Sequence, residues 1–465
     1  MTSTWGVVAL ARPTFDVPFA QAMMEQAFAA LDRAGIATIG PRRLLFDAAA
    51  VQDAIGGIRS GGAIDLLLVL QITFTDATMT VQLAREIDAP LALWAVPEPR
   101  LGGRLRLNAL CGLNLAVHAL QKQGLAQTWL YASPEQAGVE SELRALARPA
   151  ALLPSRAAAL QQVPDRAARR ALQALQGARI AVVGDHPDGF DTCAWDDAAL
   201  AALGGITVER SSLSELFDRA RAIAPARVQA QDVAVRATLA GVDAVDAEQL
   251  DRSLRVYCAL QDVATERSAS GLAVRCWPEM FTEYGCAACG PLGMLNEQRV
   301  PAACEADVYG AYSQLILQEL AQAPAWMADL VDVDFSDDTA VLWHCGSAPM
   351  SMRDPHSAAA ATIHTNRRMP LLYQFRLRPG RITLARVSQA RGIMKMMLAG
   401  GEVLGAPMAF TGTSATVRFD RPARAVFEAI MQEGLEHHFA LTYGDHRGAL
   451  RALAADLGLP VLEIT

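Results

Sequence analysis

Three stretches of this chain gather side chains able to do chemistry. Val274-Arg-Cys-Trp-Pro-Glu-Met-Phe281 runs a strand-like segment into a Pro-containing turn, with Glu279 just past it. Pro301-Ala-Ala-Cys-Glu-Ala-Asp-Val-Tyr-Gly310 repeats that plan, with Glu305 and Asp307 where a short strand gives way to a helix. Glu436-His-His-Phe-Ala-Leu-Thr-Tyr-Gly-Asp445 brings a His pair near the C-terminus. Carboxylates at two strand ends and one imidazole make an oxygen-rich donor set. Such a set suits Mn²⁺ or Mg²⁺ better than zinc and leaves positions open for two substrate oxygens. The same residues also have structural explanations. Acids at a helix start are stabilised by the macrodipole, which would account for Glu305 and Asp307 without a metal. On a strand, His437 and His438 face opposite sides, so at most one serves a given site.

A rival lies in Cys286-Ala-Ala-Cys289, flanked by Cys276 and Cys304, which together could close a structural zinc site. The flanking cysteines are single, not a second CxxC, so the expectation is buried small hydrophobes. Gly184-Asp-His-Pro-Asp-Gly189 follows a strand but lacks both GxGxxG and a Lys-Ser/Thr ending, so no nucleotide site is expected.

These groups need elements to hold them. Residues 1–155 alternate strand-like runs (6–10, 36–39, 65–71, 91–96 and 128–132) with helix-patterned segments (17–34, 77–87 and 107–121). That alternation predicts βαβ units and a parallel sheet, with ligands at the carboxyl ends of the strands. Arg12, Gln71, Trp94, Pro97 and Glu98 fall at or just past those ends. Residues 156–176 read as a polar connecting helix. A second αβ domain over 177–325 follows, with helices near 214–222 and 247–265 and strands at 272–276 and 301–304. From Trp326 to the end, 326–465, the texture turns β-rich, with strands at 331–335, 340–344, 371–377, 381–387 and 415–419. Pro422 opens a helix in its first turn, and a strand near 439–443 follows it.

The chain has 465 residues, is 52% hydrophobic and carries a net charge of −8. It shows no basic excess or stripe, which argues against nucleic-acid binding. Apolar runs such as 63–72 and 90–97 are about half the ~20 residues of a membrane helix. The first residues lack a basic region ahead of their apolar stretch, so no secretory signal is expected. Eight scattered Cys fit a reducing compartment, and the expectation is a cytoplasmic enzyme.

The order Cys276-Trp-Pro-Glu279, Cys304-Glu-Ala-Asp-Val-Tyr-Gly310, His344-Cys-Gly346 and His438…Tyr443-Gly-Asp445 resembles the L-fucose isomerase/L-arabinose isomerase superfamily. It looks closest to the shorter fucose isomerase-like members. Arg106-Leu-Asn-Ala-Leu-Cys-Gly112 and Gly184-Asp-His-Pro-Asp-Gly-Phe-Asp191 are similar too. The resemblance implies two αβ domains followed by a β-rich domain, and aldose–ketose isomerisation with Mn²⁺ (Mg²⁺ or Co²⁺ as alternatives). Carried over, it implies Asp307 and His438 as metal ligands and Glu279 as the third, with Glu283 as competitor. Glu279 and Asp307 would also move the proton. Arg12, Trp94, Arg106, Asn108, His344 and Tyr443 are the expected substrate contacts. The partner is a free or acid-substituted monosaccharide. The resemblance also implies a homo-oligomer, usually a hexamer, in which one subunit's first domain closes another's site.

Two other classes fit parts of the pattern. A non-catalytic sugar-binding protein could use the two αβ domains, but has no need for three metal-type ligands. A metal-dependent epimerase or aldolase acting on a sugar phosphate would need a basic anchor, for which Arg12, Arg104, Arg106 and the Arg367-Arg368 pair are placed. The same anchor serves a sulfonated or carboxylated sugar.

Overall fold

The computed structural model describes residues 3–465. Three sheets organise the chain. In the first, Ala37–Ile39, Thr4–Leu10, Leu66–Gln71, Leu91–Ala95 and Gln127–Tyr131 lie side by side in that order, all parallel, and Leu44–Leu45 pairs with the far end of Thr4–Leu10. Leu66–Gln71 and Leu91–Ala95 are buried along their whole length, which is why they read as unbroken apolar runs and not as alternation. Helices Val17–Arg33 and Ala48–Gly61 start where Asp16 and Asp47 accept hydrogen bonds from the backbone N–H groups of Phe19 and Ala50.

The second sheet is also parallel, in the order Ala302–Ala303, Gly271–Val274, Arg179–Val183, Thr207–Ser211. The third has nine strands and is mostly antiparallel. Six of them, Thr413–Phe419, Thr339–His344, Trp326–Asp334, His438–Tyr443, Gly380–Ser388 and Lys395–Val403, pair in sequence. The last then pairs with the first, closing an antiparallel ring. Two parallel αβ regions followed by a β-rich one is the expected fold class. Among the described residues no helix is long and apolar enough to cross a membrane.

Several local expectations change. The connector is extended up to Asp165, where Ala158 bridges Val461, and only Arg166–Leu175 is helical. Pro164 explains the late start, since the residue before a proline disfavours helical geometry. Lys395–Val403 was hidden by its Gly400-Gly401 pair, which weakens a strand signal. Thr207–Ser211 was hidden by its polar sequence at a sheet edge. Pro422 caps Ala423–Glu433 from outside the helix and does not occupy its first turn.

Candidate active site

Register builds the centre of the site. Asp329 on Trp326–Asp334 lies directly opposite His438 on the antiparallel strand His438–Tyr443. Facing cross-strand residues share one side of a sheet with Cβ atoms about 5 Å apart. Glu305 approaches from the second domain, on a loop after Ala302–Ala303. There Glu305 and Ala306 both adopt left-handed backbone, with φ of 59° and 53°. Each such residue costs on the order of 1–3 kcal/mol and persists only where its surroundings impose it. The result is that His438 Nε2 sits 3.5 Å from Glu305 Oε2 and 3.3 Å from Asp329 Oδ1.

Hydrogen positions decide which atoms can bind a cation. Asp307 Oδ2 lies 2.9 Å from His438 Nδ1 and can only accept, so the proton is on Nδ1 and the Nε2 lone pair is free. His438 Nε2 and Asp329 Oδ1 are both buried and lack a hydrogen-bond partner. Two further imidazoles stand nearby. His437 Nε2 donates to Glu305 Oε2 at 3.0 Å, and His344 Nδ1 accepts the Cys345 N–H at 2.9 Å, which leaves His344 Nε2 protonated. Both are therefore donors and not ligands at this point. Cys193 completes the cluster, but burial pushes its thiol well above the usual range, so it stays protonated. The atoms left are one imidazole nitrogen and two carboxylate oxygens, a donor set that fits Mn²⁺, Mg²⁺ or Co²⁺.

Behind His438, Asp307 Oδ1 accepts from the Gly310 N–H at the start of helix Val308–Ala321, and both oxygens bond Arg386. Gly310 permits this, since a Cβ there would lie 2.6 Å from Asp307 Oδ2. Arg386 is itself buried and also reaches Glu436, at 3.4 Å. Carboxylate-to-histidine contacts of this kind fix the ring and raise its basicity.

Burial alone would raise the Glu305 carboxyl. The hydrogen bond from His437 and the electrostatic pull of the surrounding His438, His437 and His344 rings outweigh it and lower the carboxyl to about 2. Burial likewise works against Asp307, and Arg386 and His438 lower it further still. For His438 burial pulls downward, but Asp307, Asp329 and Glu305 hold it above its ordinary 6.5. Two lowered carboxyls stabilise the fold above their ordinary range and lose that contribution as pH falls through the folded value. The raised imidazole contributes fully below 6.5 and loses its contribution as pH rises through its folded value. The EDTA-treated protein should accordingly lose denaturant resistance between about pH 4.5 and pH 2. Urea midpoints across that window would check this, and a flat profile would show the carboxyls unpaired.

A cavity of about 80 Å³ opens onto this cluster. Arg12, Asn108 and His344 line it, as expected, along with Phe74, Trp277, Trp343 and Arg367. Other expected residues fall elsewhere. Glu279 is held at both oxygens by Arg275, at 2.7 Å each, one turn further along its own segment, and does not join Glu305 and His438. Glu283 lies on the wide turn Met280–Tyr284 and is not among the cavity residues. Asp307 has all its near oxygens engaged, so the structure puts it behind the ligand His and not in the ligand set. Trp94 is fully buried and donates to the Ala132 carbonyl. Arg106 pairs with Asp16 and packs on Phe19 outside the cavity. Tyr443 donates to the Arg378 carbonyl, away from the site. His437 and His438 do not diverge. His437 precedes the strand, so the alternation rule does not reach it, and the two rings lie 3.8 Å apart.

The cysteines pair off instead of converging. Cys304 and Cys276 are 2.7 Å apart, and among the described residues no three cysteines reach metal-ligand spacing. The first domain lines the cavity of its own chain through Arg12, Phe74 and Asn108. Glu98 holds the Asn108 segment, its oxygens accepting the backbone N–H groups of Arg106, Leu107 and Asn108.

Two parallel αβ regions precede a closed β-rich domain, and two carboxylates and an imidazole converge where the cavity opens. The chain belongs to the fucose/sulfoquinovose isomerase family and is an aldose–ketose isomerase. Residues 6–154 match the fucose/sulfoquinovose isomerase N-terminal domain, and residues 342–465 match the L-fucose isomerase C-terminal domain. The sulfoquinovose isomerase of Alkalicoccus urumqiensis is 30% identical over 401 residues, covering 86% of each chain. Those of Priestia aryabhattai, at 29% over 94% of each chain, and Clostridium sp. strain MSTE9, at 30% over 96% of each, are similar throughout.

Proposed function

We propose that this isomerase interconverts sulfoquinovose, an aldohexose with a sulfonate at C6, and its 2-ketose, at a site where Glu305, Asp329 and His438 hold a divalent cation. The observation that supports it most is the meeting of Glu305 Oε2, Asp329 Oδ1 and His438 Nε2, two of which are buried without a hydrogen-bond partner. A divalent cation bound there supplies Lewis acidity to the sugar's carbonyl and hydroxyl oxygens. Glu305 is ionised at neutral pH, the form that takes the proton from C2 and returns it to C1 through an enediol, while the O2 proton passes to O1. His344 Nε2–H donates to a sugar oxygen as negative charge develops on it. Asp307 and Arg386 hold the His438 ring. Trp277, Phe74 and Trp343 wall the cavity and exclude water. The sulfonated substrate rests on the relatives' names and on the guanidinium groups in the wall. A cytoplasmic homo-oligomer using Mn²⁺ belongs to the same proposal.

The test is turnover of an aldose panel that includes sulfoquinovose, followed by loss of the C2 proton in D₂O. EDTA should abolish both and Mn²⁺ should restore them. Full activity after exhaustive chelation would end the metal-site reading.

A further inference from the structure

At the end of the cavity formed by Arg12 and Arg367, two guanidinium groups flank the Trp277 indole, whose Nε1–H donates to Glu305 Oε1 at 3.3 Å. Arg12 Cζ lies 4.9 Å and Arg367 Cζ 5.7 Å from the Trp277 ring centroid, with Phe74 5.2 Å from Arg12 and Phe281 6.0 Å from Arg367. Their pairing is unequal. Arg12 Nη2 bonds Asp76 Oδ2 at 2.7 Å, while Arg367 has no carboxylate partner among the described residues. Burial lowers Arg367, and the charge on Arg12 lowers it further, as for two cations with too little counter-charge between them.

Neutral donors complete this end. His364 Nδ1 accepts the backbone N–H groups of Asn366 and Arg367 at 3.2 and 3.1 Å, so its proton is on Nε2. Burial keeps it neutral, lowered to about 3. Arg104 donates to Asn366 Oδ1 at 2.9 Å, which assigns the amide and leaves its NH₂ as a donor beside the cavity. Of the two guanidiniums lining the cavity, Arg12 is matched by Asp76 and Arg367 is not, which leaves the charge of Arg367 unpaired among donors and aromatic rings.

Resting on the isomerase reading above, we propose that Arg12, Arg367 and Asp76 form a charge filter for the sugar's C6 substituent, accepting a monoanionic sulfonate over a phosphate or a neutral hydroxyl. A sulfonate carries one negative charge at pH 7, matching the one left over. A phosphate monoester carries about 1.5 to 2, and its excess meets Asp76 without a partner. A neutral hydroxymethyl group leaves the charge of Arg367 uncompensated beside Arg12. Asp76 is therefore the specificity-determining residue, acting through Arg12 without touching the sugar.

Equilibrium binding of alditols, which cannot isomerise, separates this claim from the catalytic one. Titration calorimetry on the Mn²⁺-loaded protein would use 6-deoxy-6-sulfoglucitol, glucitol 6-phosphate and glucitol. The sulfonated alditol should bind at least tenfold tighter than either other. Asp76→Asn, which removes one negative charge, should shift the preference toward phosphate by about tenfold. Arg367→Gln and Arg12→Gln should erase the preference for the sulfonate over glucitol, and they keep the filter testable if Asp76→Asn does not fold. Equal affinity for sulfonated and neutral alditols, or tighter phosphate binding by the unaltered protein, would overturn the filter. Absence of turnover with the full sugars would instead count against the isomerase reading and leave these affinities to be judged separately.

Discussion

Glu305→Gln should leave the protein folded and lower kcat by about 10³-fold or more, because the same side chain supplies a cation ligand and the proton-transferring carboxylate. The substitution keeps the shape and the contact from His437 but removes the charge. Its partner experiment is Glu279→Gln. Glu279 is engaged with Arg275 and lies apart from the His438 cluster, so that variant should keep turnover within a few-fold of the unaltered enzyme. Steady-state kinetics on both, with circular dichroism to show folding, separates the two carboxylates. The reverse ranking would restore Glu279 to the site.

The second large effect concerns stability. Arg386→Met should cost about 3–5 kcal/mol in urea denaturation, since it strands Asp307 and Glu436 without their buried cation. Losing one member of a buried pair is far worse than losing both. Combining Arg386→Met with Asp307→Asn should therefore recover part of the loss, a coupling that a double-mutant cycle reads directly. A cost under about 1 kcal/mol would make the pair a bystander of the sort usual at surfaces. The cost in catalysis should track the freedom given to His438, so Arg386 variants should weaken cation binding as well as stability.

The alternation of apolar runs and helical patterns made the first parallel sheet legible, because strands buried on both faces need little else. The carboxylate at the centre was harder to find. Asp329 sits in Trp326-Met-Ala-Asp-Leu-Val, and only its register opposite His438 gives it a role. Register across a long loop is not written in either segment. The one available signal was an acid within an otherwise apolar run, a pattern that Arg386 in Ile-Thr-Leu-Ala-Arg-Val repeats. Glu305 was visible but read as a helix-start acid, since nothing local shows two consecutive left-handed residues turning it into the cavity. Asp307 does cap its helix, and the same carboxylate holds His438. Glu279 lies apart from the His438 cluster, and motif spacing cannot reveal that Arg275, one turn earlier, pairs with it.

The most direct test of the central claim is calorimetric titration of Mn²⁺ into the EDTA-stripped protein, its Glu305→Gln, Asp329→Asn and His438→Asn variants, and Glu279→Gln. One site per chain should appear in the unaltered protein and in Glu279→Gln, and the other three should lose it or bind at least 100-fold more weakly. Retained binding in the Asp329 and His438 variants, or its loss in Glu279→Gln, would contradict the site described here.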